Sequence, residues 1–379
     1  MAEPFKNLLN AGLVGDAAGH LARHAPGFDA DAFVRRATRG LEALEMKARA
    51  MQIADALEAA LPTRFVDAAA AIEAALAPLE SREATAPPEG LQAGLRGWIL
   101  WPVGEFVARR GLAEPERALR ALHAITQRFT AEFAIRPFIV AHPALVFATL
   151  ARWVHDDSPH VRRLVSEGSR PRLPWGLQLK SLIRDPAPTL PLLRALQDDR
   201  SEYVRRSVAN HLNDIAKDHP ALVAQWLQEH LPQASAERHA LLRHASRTLI
   251  KAGDAAVLQA WGLGRPLRGV AALSITPAAI TLGQTVTVAL TLRSTAALPQ
   301  QLVIDYAVHH VKAKGSTSAK VFKGWKVMLP ARGELTLAKR HAVRPITTRR
   351  YFGGSHRVTV QINGREVAEA AFELHLPTE

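Results

Sequence analysis

Four residues of this sequence combine a reactive type with a suggestive setting: Glu132 in TAEFAIRPF, Glu167 and Trp175 in SEGSRPRLPWGLQLK, and Asp214 in NHLND. Carboxylates placed beside Arg163, Arg170 and Arg172 can serve as electrostatic catalysts, or they can simply be the salt-bridge partners of those arginines. Spacing alone favours the salt bridges. Other chemistry is narrowed by what the chain lacks. It has no cysteine, which excludes disulfides, thiolate metal sites and a thiol nucleophile. There is no phosphate-binding Gly-rich loop ending in Lys-Ser/Thr, no two-His zinc helix and no Gly-x-Ser-x-Gly elbow. The 16 histidines are scattered, and His309-His310 lies on an expected strand where neighbours face opposite ways. No metal and no cofactor are expected.

The elements that must position these residues follow from a repeat. HDDSPHVRRLVSEG (His155 to Gly168) and QDDRSEYVRRSVANHLND (Gln197 to Asp214) are two copies of one turn-then-helix pattern, with Val-Arg-Arg starting at Val161 and again 43 residues later at Val204. That period belongs to paired-helix repeats. In this register Glu167 falls opposite Asn210, and Asp214 lies one helical turn further on, which puts the acidic groups on inner helices. Further helices are expected over EPERALRALHAITQRF, TAEFAIRPFIVAHP and HPALVFATLARWVHDD, and the turn His-Pro-Ala-Leu recurs at His142 and His219. Pro suits the first helical turn, where its missing N–H costs nothing. SAERHALLRHASRTLIKAG closes the repeats near Gly253, with a short helix up to Trp261. Such a solenoid offers a concave surface lined by its inner helices.

Upstream, the alanine-rich first eighty residues read as a packed helical bundle, with Asp29 or Asp31 capping a helix through AFVRRATRGLEAL. SREATAPPEG (Ser81 to Gly90) has loop composition, and a long amphipathic helix is expected from near Leu91. Trp98 and Trp101 fall three apart on it; core packing is favoured over a base-stacking platform.

After Gly262 the pattern changes to short alternating β-branched stretches with turn residues between them, and Asn363-Gly364 is a strong hairpin signal. About seven strands fit an immunoglobulin-like sandwich. The expected domains are therefore 1–262, helical repeats, and 268–379, an all-β sandwich. From Arg268 onward fifteen Lys and Arg stand against six Asp and Glu, so most of the net charge of +13 lies there. The stretch VKAKGSTSAKVFKGWK reads as a flexible loop carrying Lys312, Lys314, Lys320, Lys323 and Lys326 without an acidic residue, which suits a phosphate backbone. KRHAVRPITTRR could flank the same path. A basic chain points to a polyanionic partner.

Taken in order, TAEFAIRPF, SPHVRRLVSEGSRPRLPW and YVRRSVANHLND resemble the AlkC branch of the HEAT-like-repeat DNA glycosylases, with its appended immunoglobulin-like domain. The resemblance spans nearly the whole chain. It implies a base-excision-repair enzyme that hydrolyses the N-glycosylic bond of cationic alkylated bases, 3-methyladenine and 3-methylcytosine above all, in double-stranded DNA. Glu132, Glu167, Trp175 and Asp214 would occupy the catalytic positions. An alkylated cationic base is a good leaving group, so the enzyme has mainly to stabilise an oxocarbenium-like sugar and orient a water, which carboxylates with an aromatic face can do. The resemblance also implies that the lesion stays stacked while the sugar is approached from the backbone side. Arg163, Arg170, Arg172 and Arg206, with the sandwich lysines, are the candidate DNA contacts, and together the two domains would encircle the duplex.

No apolar run reaches the roughly 18 residues of a membrane span, and the N-terminus lacks a signal-peptide pattern. A soluble, cytoplasmic monomer is expected. The rival reading is a non-catalytic repeat scaffold that binds nucleic acid and protein; a further one is a glycosylase of different lesion scope.

Overall fold

The computed structural model describes residues 4–79, 93–263, 265–313, 315–346 and 349–376. Sixteen α-helices precede eight strands among them. The first five are α1 (Ala11–His24), α2 (Ala30–Thr38), α3 (Met46–Ala60), α4 (Phe65–Ala75) and α5 (Leu100–Arg110). Asp29 does cap α2, its carboxylate accepting from the Ala32 N–H at 2.9 Å, which satisfies one of the amides a helix start leaves without a partner. That helix stops earlier than its sequence pattern implied, because Gly40 takes a left-handed conformation.

One other expectation is corrected here. The helix expected from near Leu91, a residue outside the described ones, begins at Leu100 after a short 3-10 turn, Gly97–Ile99. Ahead of it the chain is extended: Leu95 bridges Leu76, and Gly97 has φ +64°, which a right-handed helix does not allow. The loop expected over Ser81 to Gly90 lies outside the described residues.

Next come α6 (Pro115–Thr126), α7 (Arg136–Ala141), α8 (Pro143–Trp153), α9 (Pro159–Gly168), α10 (Lys180–Arg184), α11 (Leu190–Leu196), α12 (Glu202–Ile215), α13 (Pro220–His230), α14 (Ala236–Ala245), α15 (Arg247–Ala252) and α16 (Ala255–Ala260). Pro opens α8 and α13 at their first turn, as the repeated His-Pro-Ala-Leu requires. The stretch read as one last helix breaks at Ser246 into α14 and α15. No described helix is long and apolar enough to cross a membrane.

The strands are β1 (Gly269–Thr276), β2 (Ala279–Thr281), β3 (Thr285–Ser294), β4 (Gln300–Val311), β5 (Thr317–Leu329), β6 (Glu334–Ala342), β7 (Gly354–Ile362) and β8 (Arg365–His375). They form two sheets, β1-β3-β6 and β2-β8-β7-β4-β5. Every second residue of β3 is buried, Val286 to Leu292, and from the opposite sheet these meet Leu302, Ile304, Tyr306 and Val308 of β4 with Val358, Val360, Ile362 and Phe372 beside them. Period-two burial of branched side chains is what builds a sandwich core, each contributing about 1.5–3 kcal/mol. Asn363 and Gly364, at φ +49° and +79°, make the β7–β8 turn as a type I′ hairpin demands.

The lysine-rich stretch corrects the expectation of a loop there, since most of it is strand β5. Alternation was obscured there by a bulge: Ile304 pairs with Trp325 and Asp305 with Lys323, leaving Gly324 over. A side chain at Gly324 would stand 2.5 Å from the Ile304 carbonyl oxygen, so glycine is required. The bulge turns Lys323 and Lys326, three apart in sequence, to one face. Lys312 lies at the end of the hairpin, and Lys314 is outside the described residues.

The chain packs into two compact units. One holds α1 to α12 together with α14; the other holds α13, α15, α16 and all eight strands. Within the second, Gly253 at the end of α15 touches Gly364 of the hairpin so closely that a Cβ on Gly253 would lie 2.7 Å from the Gly364 carbonyl oxygen.

Candidate active site

The two copies of the repeat put α9 and α12 side by side, their starts at Pro159 and Glu202. The same local device opens each helix. Asp156 accepts from the Ser158 N–H and Asp199 from the Ser201 N–H, both at 2.8 Å, forming Asx turns. The first arginine of each Val-Arg-Arg folds back onto its turn. Arg162 donates to the carbonyls of Asp156 and Asp157 and pairs with both oxygens of Asp199, while Arg205 donates to the Asp199 carbonyl at 2.6 Å. These arginines build the repeat. The second arginine of each pair is left for other partners.

Arg163 is that second arginine on α9, and it reaches Glu132 at 2.6 Å and Glu167 at 3.7 Å. Glu167 in turn accepts from Arg170 through Oε1 at 2.5 Å and from the Ser207 hydroxyl through Oε2 at 2.6 Å. Arg170 Nε donates to Asp214 Oδ2 at 2.8 Å, and Lys217 donates to Asp214 Oδ1 at 2.8 Å. An alternating chain of charge results: Glu132, Arg163, Glu167, Arg170, Asp214, Lys217. Glu132, Glu167, Arg170 and Asp214 are all buried, Asp214 to 2 % exposure. Burial alone would lower the guanidinium pKa of Arg170, but Glu167 and Asp214 outweigh it and raise it; Arg163 is raised in the same way by Glu132 and Glu167. Both stay charged throughout.

Glu132 is not on an inner helix, as expected, but in the turn before α7. Thr130 shapes that turn, donating to Glu132 Oε2 at 2.7 Å and accepting from Arg163 at 2.8 Å. The turn continues into Phe133, which stacks on the buried Trp101, and Trp101 lies parallel to Trp175 with an interplanar angle of 2°. Trp101 is thus core beneath the candidate tryptophan. Trp175 itself is 62 % exposed and holds a φ of +64°, an uncommon conformation for a bulky residue. Its loop is pinned by Arg136, fully buried on α7, which donates to the carbonyls of Gly168, Pro171 and Leu177. Burial, then the positive charge of Arg170, lowers the Arg136 pKa to about 10.

The four candidate residues are therefore linked, three by the charge chain and Trp175 by stacking and by Arg136. The candidate DNA contacts divide. Arg163 and Arg170 are engaged with the carboxylates, Arg172 makes a two-point pair with Asp218 at 2.7 Å, and Arg206 is exposed beside Glu202. Lys312, Lys320 and Lys323 belong to the second unit. Sequence reasoning missed Thr130, Arg136, Ser207, His211 and Lys217. Ser207, His211 and Asp214 share one stripe of α12 at spacings of four and three, a signal that helical periodicity contains. His211 is fully buried, donates from Nδ1 to the Ser166 carbonyl, and is lowered by burial to about 4. Arg136, inside an apolar stretch, gives no such signal.

A helical-repeat unit with a buried carboxylate chain, followed by a strand-rich domain, defines a class, and comparison with known proteins gives it its family. Residues 129–249 match the model of the DNA alkylation repair enzymes, and residues 269–376 match the C-terminal Ig-like domain of the protein YhaZ. The chain is 35 % identical to YhaZ of Bacillus subtilis (strain 168) over 368 residues, covering 95 % of this chain and 96 % of that protein. The structure of Pseudomonas fluorescens alkylpurine DNA glycosylase AlkC, bound to DNA containing an abasic site analog, superposes with a TM-score of 0.86 at 34 % identity, covering 98 % of this chain and all of that one. The chain belongs to the AlkC-like family of DNA alkylation repair enzymes that carry the YhaZ-type Ig-like domain.

Proposed function

We propose that the protein is a DNA glycosylase that releases cationic alkylated bases, 3-methyladenine and 3-methylcytosine first among them, from duplex DNA without flipping them into a closed pocket. The observation that carries this reading is the buried chain of Glu132, Glu167 and Asp214 held by Arg163, Arg170 and Lys217. Carboxylates so fixed need little reorganisation when a sugar acquires positive charge beside them. The AlkC structure supports the substrate class, since that protein is an alkylpurine glycosylase seen on DNA.

The leaving base takes the bonding electrons and loses its positive charge; the sugar becomes oxocarbenium-like and is captured by water. Asp214 and Glu167 stabilise that cation and orient the water, Glu132 supports them through Arg163, and the exposed Trp175 ring packs against the sugar or lesion. Lys217 is 44 % exposed over the nearly buried Asp214, so it is the partner that a nucleotide displaces to reach the carboxylate.

Base release from methylated duplex DNA, resolving 3-methyladenine, 3-methylcytosine and 7-methylguanine, tests the proposal. Wild-type protein is expected to release the N3 adducts, and Asp214→Asn and Glu167→Gln to lose about 100-fold or more of that rate. The scaffold reading has one observation in its favour, that every candidate carboxylate is already salt-bridged. Absence of release by wild type with DNA binding intact would decide for it.

A further inference from the structure

Next to the charge chain, and sharing Thr130 and Arg163 with it, runs a groove of about 1090 Å³ that Tyr203, stacked under Arg163, and Arg96, Arg128 and Arg200 also line. Arg128 and Arg200 differ from the cations of the chain in what they bond. Arg128 donates to the Ala77 carbonyl at 2.7 Å and the Ala124 carbonyl at 3.0 Å, and Arg200 to the Asp157 carbonyl at 3.4 Å. Carbonyls fix the plane of a guanidinium without cancelling its charge. Burial and then the neighbouring positive charge of Arg96 lower the Arg128 pKa, the mark of like charges held together. Asp157 is the acidic residue among the described lining. Arg163, by contrast, is matched by Glu132.

We propose that this groove seats a phosphodiester of the lesion-bearing strand beside the excised nucleotide, with Arg128 and Arg200 as its anion contacts. The inference rests on the glycosylase reading. A strand whose sugar faces Glu132 continues past Thr130 and Arg163 into the groove, and preset guanidiniums match phosphate oxygens in geometry and sign. Such contacts fix the register of the duplex on the protein and carry no base information. They also supply the positive charge that Arg163 and Arg170, occupied by carboxylates, do not offer.

The test is equilibrium binding of the full chain to a duplex bearing a tetrahydrofuran abasic-site analogue, with neutral methylphosphonates placed singly along the lesion strand. Wild type is expected to lose affinity at one or two positions next to the analogue, and Arg128→Gln and Arg200→Gln each to lose that position's sensitivity. Each variant should also lower the slope of log K against log salt by about 0.9. Arg128→Lys, which keeps the charge, should restore the slope, whereas a purely structural role for Arg128 would leave Lys and Gln alike. Arg200 is exposed, so its variant decides the matter should Arg128→Gln fold poorly. Wild-type slopes and sensitivities in both glutamine variants would overturn the proposal. Binding without base release by wild type would instead remove the glycosylase reading, and the methylphosphonate pattern would still judge the groove.

Discussion

Arg170, just past the end of α9, donates to Asp214 on α12 at 2.8 Å, and neither side chain is more than 10 % exposed. The contact spans the two repeat copies, so one guanidinium orients carboxylates from both. Removing it leaves Asp214 with Lys217 alone and Glu167 with Ser207 and the more distant Arg163, so two buried carboxylates lose the cation they share. Arg170→Met is expected to cost about 3–5 kcal/mol of stability as well as base release. Urea unfolding checks the first; a loss below about 1 kcal/mol would mean that the chain is solvated and only loosely coupled.

Buried His211 makes stability depend on acid. Burial holds its folded-state pKa at about 4, below the ordinary imidazole value of 6.5, so between these values the unfolded chain binds a proton that the folded chain does not. Stability is full above pH 6.5, falls as pH drops towards 4, and the total loss is roughly 3 kcal/mol. Urea midpoints at pH 7, 5.5 and 4 should fall more steeply for wild type than for His211→Asn, and the difference isolates this residue from His309, His310, His341 and His356, whose pKa values burial also lowers. Parallel profiles would show that His211 titrates normally.

Trp175 separates function from folding. Because its ring is mostly exposed and its backbone strained, Trp175→Ala should change stability by roughly 1 kcal/mol, the worth of its pairing with Trp101. Single-turnover base release should fall at least about tenfold, or 1.4 kcal/mol of transition-state stabilisation. Unchanged release would leave the tryptophan a structural lid on Trp101.

Gly168 follows Glu167 where α9 meets the residues before α7, and a Cβ there would lie 2.6 Å from Ile135 Cγ2. Gly168→Ala should therefore cost about 1–3 kcal/mol by overpacking, and slow base release more than it weakens DNA binding, since the strain shifts Glu167 against Glu132. Equal losses in both would place the effect on folding alone.

The bulge in β5 gives Lys323 and Lys326 a common face. Lys323→Gln and Lys326→Gln should each reduce the salt dependence of DNA binding by about 0.9 in log–log slope, with no change in lesion ranking. Salt titration of binding reads this directly, and wild-type slopes would take the two lysines off the DNA.

The 43-residue repeat and the period-two strands were legible because burial imprints its period on the sequence. α9 and α12 sit where Val161 and Val204 put them, and the Asn363-Gly364 turn forms as its residue types require. β5 was not legible, since lysines on an edge strand mask alternation and the Gly324 bulge shifts its phase. That Glu132, Glu167 and Asp214 pair with neighbouring arginines was legible, but not which carboxylate each arginine takes: helical spacing gives the face of a side chain and does not choose its partner 30 or 40 residues away. Arg136 is the extreme case, a fully buried cation satisfied by three carbonyls of a loop whose path no local pattern encodes.

The division of helices between the two compact units has a genetic consequence. α14 belongs to the first unit while α13 before it and α15 after it belong with the strands, and Gly253 of α15 seats against the β7–β8 hairpin. No single breakpoint in the coding sequence separates the units. A recombination that trimmed or swapped the strand-rich part at the helix-to-strand junction would leave three helices without their core, so shuffling has to carry the strand-rich part and those helices as one heritable block.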